Sequence, residues 1–305
     1  MTELERRDGA AERAEEAKKA TLERGGVAYT LLTRRGQEQE SAATASATDD
    51  EILAKAKENK SGTEQEVESL EDFTARVRTA IRVEEQSLTH SKVALWQDGK
   101  MLELELTFPE ESIQPIFSGA CWAGTVVWPA ALLLCEHLKT MADTVKDQRV
   151  LELGSGLGVP GMVCQLLGAK EVILTEQDPL PELLRRNVDA NFANDAPRPL
   201  VDTLDWEEPE ESSTNAQEPF DLILISDCVY QELYGDSWRA LADCIKALSR
   251  PKRATLTLNA LERRKADGVD EFLAYCREIG VCHKRIQTLM GPENEQLELY
   301  EMWTE

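Results

Sequence analysis

From residue 128 onward, continuous apolar runs alternate with stretches of helical period. Helical spacing covers about 128–141, 159–168, 180–194, 236–249 and 267–279, whereas strand-length apolar runs cover 150–153, 171–175, 220–226 and 254–259, with a shorter one near 200–204. The run Phe220-Asp-Leu-Ile-Leu-Ile-Ser226 has the apolar continuity of a central strand buried on both faces. Strand-helix units of this length predict a doubly wound, mostly parallel sheet with right-handed crossovers. The end of the chain breaks the alternation. Val281 to Gln287 and Gln296 to Trp303 read as two strands joined by Met-Gly-Pro-Glu-Asn, with no helix between them. The expected fold class is therefore α/β, a seven-stranded sheet with a C-terminal antiparallel edge hairpin.

The first part of the chain has another texture. Residues 1–68 are rich in Ala, Glu, Lys, Arg, Thr and Ser, with Tyr29 the only aromatic, and bury too little to fold alone. They read as a partly helical or disordered extension, with a flexible joint at Ser41 to Thr48. From Ser69 the pattern tightens into a second unit spanning 69–305. Leu70, Phe73, Val77 and Ile81 recur at helical spacing behind a Ser69/Asp72 cap, a helix whose apolar face docks on the remainder of that unit. Lys92 to Trp96 and Leu102 to Phe108 then alternate around Asp98-Gly99, so that 69–110 reads as a helix and a hairpin ahead of the main sheet.

The chemistry concentrates at the first strand of that sheet. Val150, Leu151 and Leu153 run into Gly154, Ser155, Gly156 and Gly158, a helix follows, and a second strand ends in the acid Glu176. A glycine turn lets the backbone approach a ligand, the helix offers free N–H groups, and an acid at this distance reaches a ribose hydroxyl. The spacing Gly156-x-Gly158-x-x-Gly161 also satisfies the dinucleotide pattern. Glu152, two residues before the first glycine, would repel a pyrophosphate and attract the ammonium of a methionine moiety. The edge hairpin also argues against an all-parallel dinucleotide domain, so S-adenosylmethionine is the expected cofactor and NAD the alternative.

Composition narrows the partners. Lys and Arg total 34 against 57 Asp and Glu, a formal charge of -23, which repels a nucleic-acid backbone and suits a basic protein segment. Seven cysteines include no C-x-x-C pair, and Cys135, Cys164 and Cys228 fall in apolar runs, the pattern of reduced thiols in a cytoplasmic or nuclear protein. The scattered His90, His137 and His283 give no metal site. With a charged N-terminus and no apolar stretch of about 18 residues, neither secretion nor a membrane span is expected. A monomer is expected.

Ligands of open α/β sheets lie at the carboxyl ends of the strands. Trp206, in Leu204-Asp205-Trp206, can stack on an adenine, or else is a core residue under a loop. Trp128 opens the helix before the first strand, where packing is its ordinary role. Asp227-x-x-Tyr230 follows the central strand directly. An amine of pKa about 10.4 must lose a proton before it attacks a methyl group. An acceptor such as Asp227 can orient its remaining N–H bonds, and Tyr230 can hold a cationic head by cation–π attraction. The alternative for Asp227 is a helix N-cap.

Phe117 to Leu132, Val150 to Gly161, Leu204-Asp-Trp206 and Asp227-Cys-Val-Tyr230, in this order, resemble the seven-β-strand protein-lysine methyltransferases of the methyltransferase-like 21 group over about residues 90–305. The resemblance implies a Rossmann-like fold, S-adenosylmethionine as donor and a lysine of another protein as acceptor, with chaperones, AAA ATPases and elongation factors as substrate classes. It carries cofactor contacts onto Trp128, Gly154, Ser155, Gly156, Glu176, Trp206 and Ser226, and the amine site onto Asp227 and Tyr230. Glu262-Arg263-Arg264 resembles a family element near the target pocket, or is an ordinary charged loop. Two positions depart from the pattern: Glu176 stands where Asp is common, and Ser226 where Ala is usual. Another acceptor (arginine, histidine or a small amine) and a cofactor-binding scaffold without turnover are the competing readings.

Overall fold

The computed structural model describes residues 81–86, 90–95, 100–106, 120–193, 195–209, 219–290 and 296–305. The extension over 1–68 with its joint, the helix read from Leu70, Phe73 and Val77, the Asp98-Gly99 turn and the turn between the last two strands lie outside these residues. Ile81, assigned to that helix, is instead a buried residue outside any helix, directly before a strand.

Three strands, β1 (Arg82–Gln86), β2 (His90–Ala94) and β3 (Met101–Glu105), form an antiparallel sheet of their own. The β2–β3 pair matches the expected hairpin, with bounds shifted toward the N-terminus, and β1 is a strand that the sequence reading did not assign. The main sheet contains β4 (Arg149–Leu153), β5 (Glu171–Glu176), β6 (Leu200–Thr203), β7 (Leu222–Ser226), β8 (Leu256–Arg263), β9 (Val281–Met290) and β10 (Gln296–Thr304). Its order is β6-β5-β4-β7-β8-β10-β9. The first five strands run parallel, and β10 is antiparallel to both β8 and β9. The terminal hairpin is therefore folded into the sheet rather than appended: β10, with Leu299, Tyr300 and Met302 buried, takes the inner place. β9, with Lys284 and Arg285 exposed, takes the edge, where charged side chains discourage further strand pairing.

Helices cover both faces. On one lie α1 (Pro129–Thr140), which runs into the short α2 (Ala142–Val145), α3 (Val159–Leu166) and α4 (Leu180–Asn191), sharing a core with Val150, Leu174 and Leu224. On the other, after the single turn α5 (Gln231–Tyr234), lie α6 (Trp238–Leu248) and α7 (Val269–Glu278), packed with Leu151, Leu153, Ile223 and Ile225. Alternate residues of β4 and β7 thus feed opposite cores, as the period of a strand buried on both faces requires.

Two devices position the site. The small sheet docks on α4 through Asn187 and Asn191, one helical turn apart. Their amide oxygens accept the Glu105 and Glu103 backbone N–H groups at 2.7 and 2.9 Å, and their amide nitrogens donate to the carbonyls of the same two residues at 3.2 and 2.8 Å. The helix thereby presents to the edge of β3 the donors and acceptors that a neighbouring strand would. At the amino ends of the central strands, Arg149 pairs with Glu171, its backbone N–H donates to the Asp221 carboxylate at 2.9 Å, and its guanidinium lies 4.2 Å from the Phe220 ring centre. Strand order reverses between β4 and β7, so the crevice at their carboxyl ends remains for a ligand.

Candidate active site

A cavity of about 520 Å³ opens there, within the about 300–1,000 Å³ range of small-molecule sites. It is lined by the 154–158 turn after β4, Glu176 at the end of β5, Asp205 and Trp206 after β6, Ser226 to Cys228 at the end of β7, and Trp128 with Gly124 from the approach to α1.

The glycine turn is dictated by crowding as much as by any ligand. Gly154 has φ +62°, and a Cβ there would lie 2.7 Å from the Cys228 sulfur and 3.2 Å from Trp206. Gly158, at φ +80°, opens α3, and its Cβ would strike Leu184 at 2.6 Å and Leu174 at 3.0 Å. The turn is therefore packed against the Trp206 and Cys228 loops, β5 and α4, and its Ser155, Gly156 and Gly158 N–H groups are donated within the protein, to the Thr175 carbonyl, the Glu176 carboxylate and the Ser155 carbonyl. Ser155 is among the lining residues, but its side chain ties β4 to β5: the hydroxyl accepts the Thr175 N–H at 3.0 Å and donates to the Glu152 carbonyl at 3.2 Å. Its contribution to the cavity is main-chain.

Glu176 is the acid that reaches the cavity. One carboxylate oxygen accepts the Gly156 N–H at 2.8 Å and the other the Gln177 N–H at 3.0 Å, which leaves each a lone pair for a ligand hydroxyl. Burial pushes its pKa up to about 7 against the pull of these two amides. Glu152 behaves differently, and the expectation that it faces the cofactor is corrected here. It is fully buried beneath the turn, off the cavity wall, and accepts the Gly161 N–H at 3.0 Å. The period of β4 sends its side chain to the α3 side, with Val150, and burial pushes its pKa up to about 8.

The other end of the cavity is built around Asp227, a buried carboxylate at φ +56°. It caps no helix; Tyr230 and Ser237 hold the N-cap positions of α5 and α6. One of its oxygens accepts from Arg264 at 2.9 Å and from the Glu262 backbone N–H at 3.1 Å, and the other accepts from Arg264 at 2.6 Å. The guanidinium also reaches the Glu262 carboxylate at 2.8 Å and lies 5.3 and 5.0 Å from the ring centres of Trp128 and Tyr230. Burial opposes the Arg264 charge, but Asp227 and Glu262 more than offset this and hold it above its ordinary range. The Trp128 indole N–H donates to the Ala123 carbonyl at 2.9 Å, which fixes its ring.

Tyr230 is a second correction, because it stands outside the cavity lining. Its ring faces Arg264 and its hydroxyl donates to Glu232 at 2.9 Å. Tyr234, one helical turn later, lines the cavity instead, and the only sequence hint of it was that spacing. Glu262 and Arg263 are not loop residues but the end of β8, which runs four residues beyond its expected end and delivers Arg264 to Asp227.

A close-packed glycine turn and a buried acid at one end of a cavity, with a braced carboxylate at the other, suit a nucleoside-bearing donor and a polar acceptor. Residues 116–278 match a family described as lysine methyltransferase. The chain belongs to that family. Over 159 residues it is 35% identical to the secreted RxLR effector protein 48 of Plasmopara viticola, spanning 48% of this chain and 81% of that protein. It is 41% identical over 109 residues to the protein N-lysine methyltransferase METTL21A of Xenopus tropicalis, 35% of this chain and 48% of that protein. It is 31% identical over 172 residues to the protein-lysine N-methyltransferase EFM6 of Saccharomyces cerevisiae, 49% of this chain and 68% of that protein. The match to METTL21A thus spans about half of that relative's length. Among the described residues no helix is long and apolar enough to cross a membrane, and no cluster of His, Cys, Asp or Glu is arranged for a metal ion.

Proposed function

We propose that this chain is an S-adenosylmethionine-dependent protein-lysine N-methyltransferase that acts on a lysine ε-amine of another protein. The observation that carries the reading is the pairing, in one cavity, of Glu176 at the end of β5 with Asp227 after β7, on the two sides of β4 and its glycine turn. The donor fits the residues present: the two free lone pairs of Glu176 match a ribose diol, Trp206 offers an aromatic wall, and the 154–158 turn lines the space between. When bound, the donor supplies a methyl group on a sulfonium, whose C–S bond breaks as the N–C bond forms. The chain's own part is positional. Asp227 accepts an N–H of the neutral amine and turns its lone pair into the cavity, while Trp128 and Tyr234 exclude water around it.

The six described cysteines, all free thiols, favour a reducing compartment, cytoplasm or nucleus. The net charge of -23 favours a basic segment around the target lysine. The test is transfer from labelled S-adenosylmethionine into a lysate, with mass spectrometry of any labelled band. A methylated lysine is the expected product; label on arginine, histidine or a small amine would replace the acceptor in this reading, and no label at all would favour a scaffold. Asp227→Asn, which keeps the shape and leaves Glu262 to pair with Arg264, should cut transfer at least about 100-fold while cofactor affinity stays within about twofold. Retained activity would remove Asp227 from its role.

A further inference from the structure

Of the four lone pairs of the Asp227 carboxylate, three are taken: two on one oxygen by Arg264 and the Glu262 N–H, and one on the other oxygen by Arg264. One acceptor position remains, on a carboxylate whose plane is fixed by a two-pronged fork. We propose that Arg264 is a positioning residue with two effects: it leaves Asp227 a single directed lone pair for the acceptor amine, and it cancels enough negative charge that this amine is not trapped as an ammonium ion. The proposal rests on the lysine reading above.

The electrostatic half follows from counting charges. Asp227 and Glu262 converge on one place, and two carboxylates beside an ammonium group would stabilise it and raise its pKa, the wrong direction for a nucleophile. Arg264 reduces that pair to a net single negative charge. It is held by Trp128 and Tyr230 against its ring faces and by its own backbone N–H, which donates to Asp267 at 2.8 Å. A lysine at the same place would cancel the charge but could not span both oxygens of Asp227.

The surrounding groups define where a pH profile is clean. Glu176 is pushed up to about 7 by burial, so the profile is read above pH 7.5. Burial pushes Cys228 well above 9 and Tyr234 above the ordinary phenol range, and burial together with Glu232 raises Tyr230, so these stay protonated up to pH 9. Glu152, pushed up to about 8, titrates in wild type and variants alike and cancels in their difference.

The experiment compares the full chain with Arg264→Met and Arg264→Lys, measuring kcat and KM for a lysine peptide from pH 7.5 to 9. For Arg264→Met the expected result is a loss of kcat of at least about tenfold at pH 7.5, an unchanged or lower KM, and a deficit that narrows as the pH rises toward the loss shown by Arg264→Lys, the limb having moved up by about one pH unit. Arg264→Lys should keep the limb in place and lose only kcat. A merely structural role would lower kcat by one factor at every pH, and that outcome overturns the proposal; so does an Arg264→Lys enzyme as fast as wild type. Binding of n-butylamine to each protein at pH 7.5 supplies a readout without turnover. At least fivefold tighter binding to Arg264→Met than to wild type supports charge cancellation, and equal binding overturns it. Should Arg264→Met fail to fold, the equally neutral Arg264→Gln takes its place, with the same shifted limb expected and the same uniform loss overturning the proposal. A wild-type protein inert toward every lysine, with the n-butylamine difference intact, would overturn the lysine reading and leave the Arg264 assignment standing.

Discussion

The two ends of the cavity are held by opposite means. Around the glycine turn the structure relies on shape: left-handed backbone at Gly154 and Gly158, a missing Cβ where Cys228, Trp206 and Leu184 press in, and two buried acids whose pKa values burial raises. Around Asp227 it relies on charge: a left-handed aspartate, a guanidinium fork, a second carboxylate and two aromatic faces. The first arrangement is preformed for a ligand of fixed outline. On the proposed reading, the second sets the protonation and orientation of the small group that enters. A transferase needs both, since one substrate is bound whole and the other contributes only a reacting atom.

The largest effect expected from separating these ends lies under the turn. Glu152 lies buried under the turn, off the cavity lining, and holds the Gly161 N–H. Its folded-state pKa of about 8 is raised from an ordinary 4.5, so the folded state holds its proton more tightly than the unfolded state does. Stability is then greatest at low pH, as far as this group is concerned, and is lost as the pH rises from about 4.5 through 8, by on the order of 4 kcal/mol. Glu152→Gln keeps an oxygen for the Gly161 N–H and has no charge to bury. It should flatten that pH dependence and raise the melting temperature at pH 8, with cofactor affinity unchanged within about twofold. A drop in affinity of tenfold would return Glu152 to the binding site.

Glu176 provides the next contrast, because its acid does face the cavity. Glu176→Ala removes the partner of the Gly156 N–H and both ribose acceptors, at about 1.5–3 kcal/mol for a charged hydrogen bond, or roughly 10- to 100-fold in cofactor affinity by calorimetry. With a pKa pushed up to about 7, the acid loses its acceptor character on protonation, so wild-type affinity should fall as the pH drops from 8 to 6. Glu176→Gln, which cannot titrate, should bind with little pH dependence across that range. If both proteins followed the same pH curve, the ribose contact would belong to another residue.

The same division explains what the sequence disclosed. The mostly parallel, doubly covered sheet was legible because Val150, Leu151 and Leu153, and Leu222 to Ile225, are apolar on both faces, a pattern that a sheet covered on both sides satisfies. The glycine turn and Glu176 were legible because one βαβ unit brings them together, within a few tens of residues of chain. Four features were not. The direction of the Glu152 side chain depends on strand phase, which an apolar run does not reveal. The Asp227–Arg264 pair joins the ends of two strands through sheet register, Ser226 lying opposite Ala260. The Asn187 and Asn191 amides that complete the edge of β3 look like any polar residues of a helix until the strand is seen beside them. A span of strand end too polar to stand out, Glu262-Arg263, was taken for loop because its apolar signal stops at Leu261.

The smallest effect tests whether the two ends are mechanically joined. Cys228 follows Asp227 directly, and its sulfur lies where a Cβ on Gly154 would stand, at 2.7 Å. Gly154→Ala should therefore cost about 1–3 kcal/mol, part from the left-handed backbone and part from the collision. Cys228→Ala removes the sulfur and the collision but not the backbone strain. The double variant should recover about 1 kcal/mol relative to the sum of the two single variants, measured by denaturant unfolding. Activity gives a second reading of the same cycle: the Gly154→Ala collision pushes on the residue next to Asp227, so kcat should fall and should return in part when Cys228 is shortened. Strict additivity in both measurements would mean that the glycine turn and the Asp227 end move independently, each with its own support.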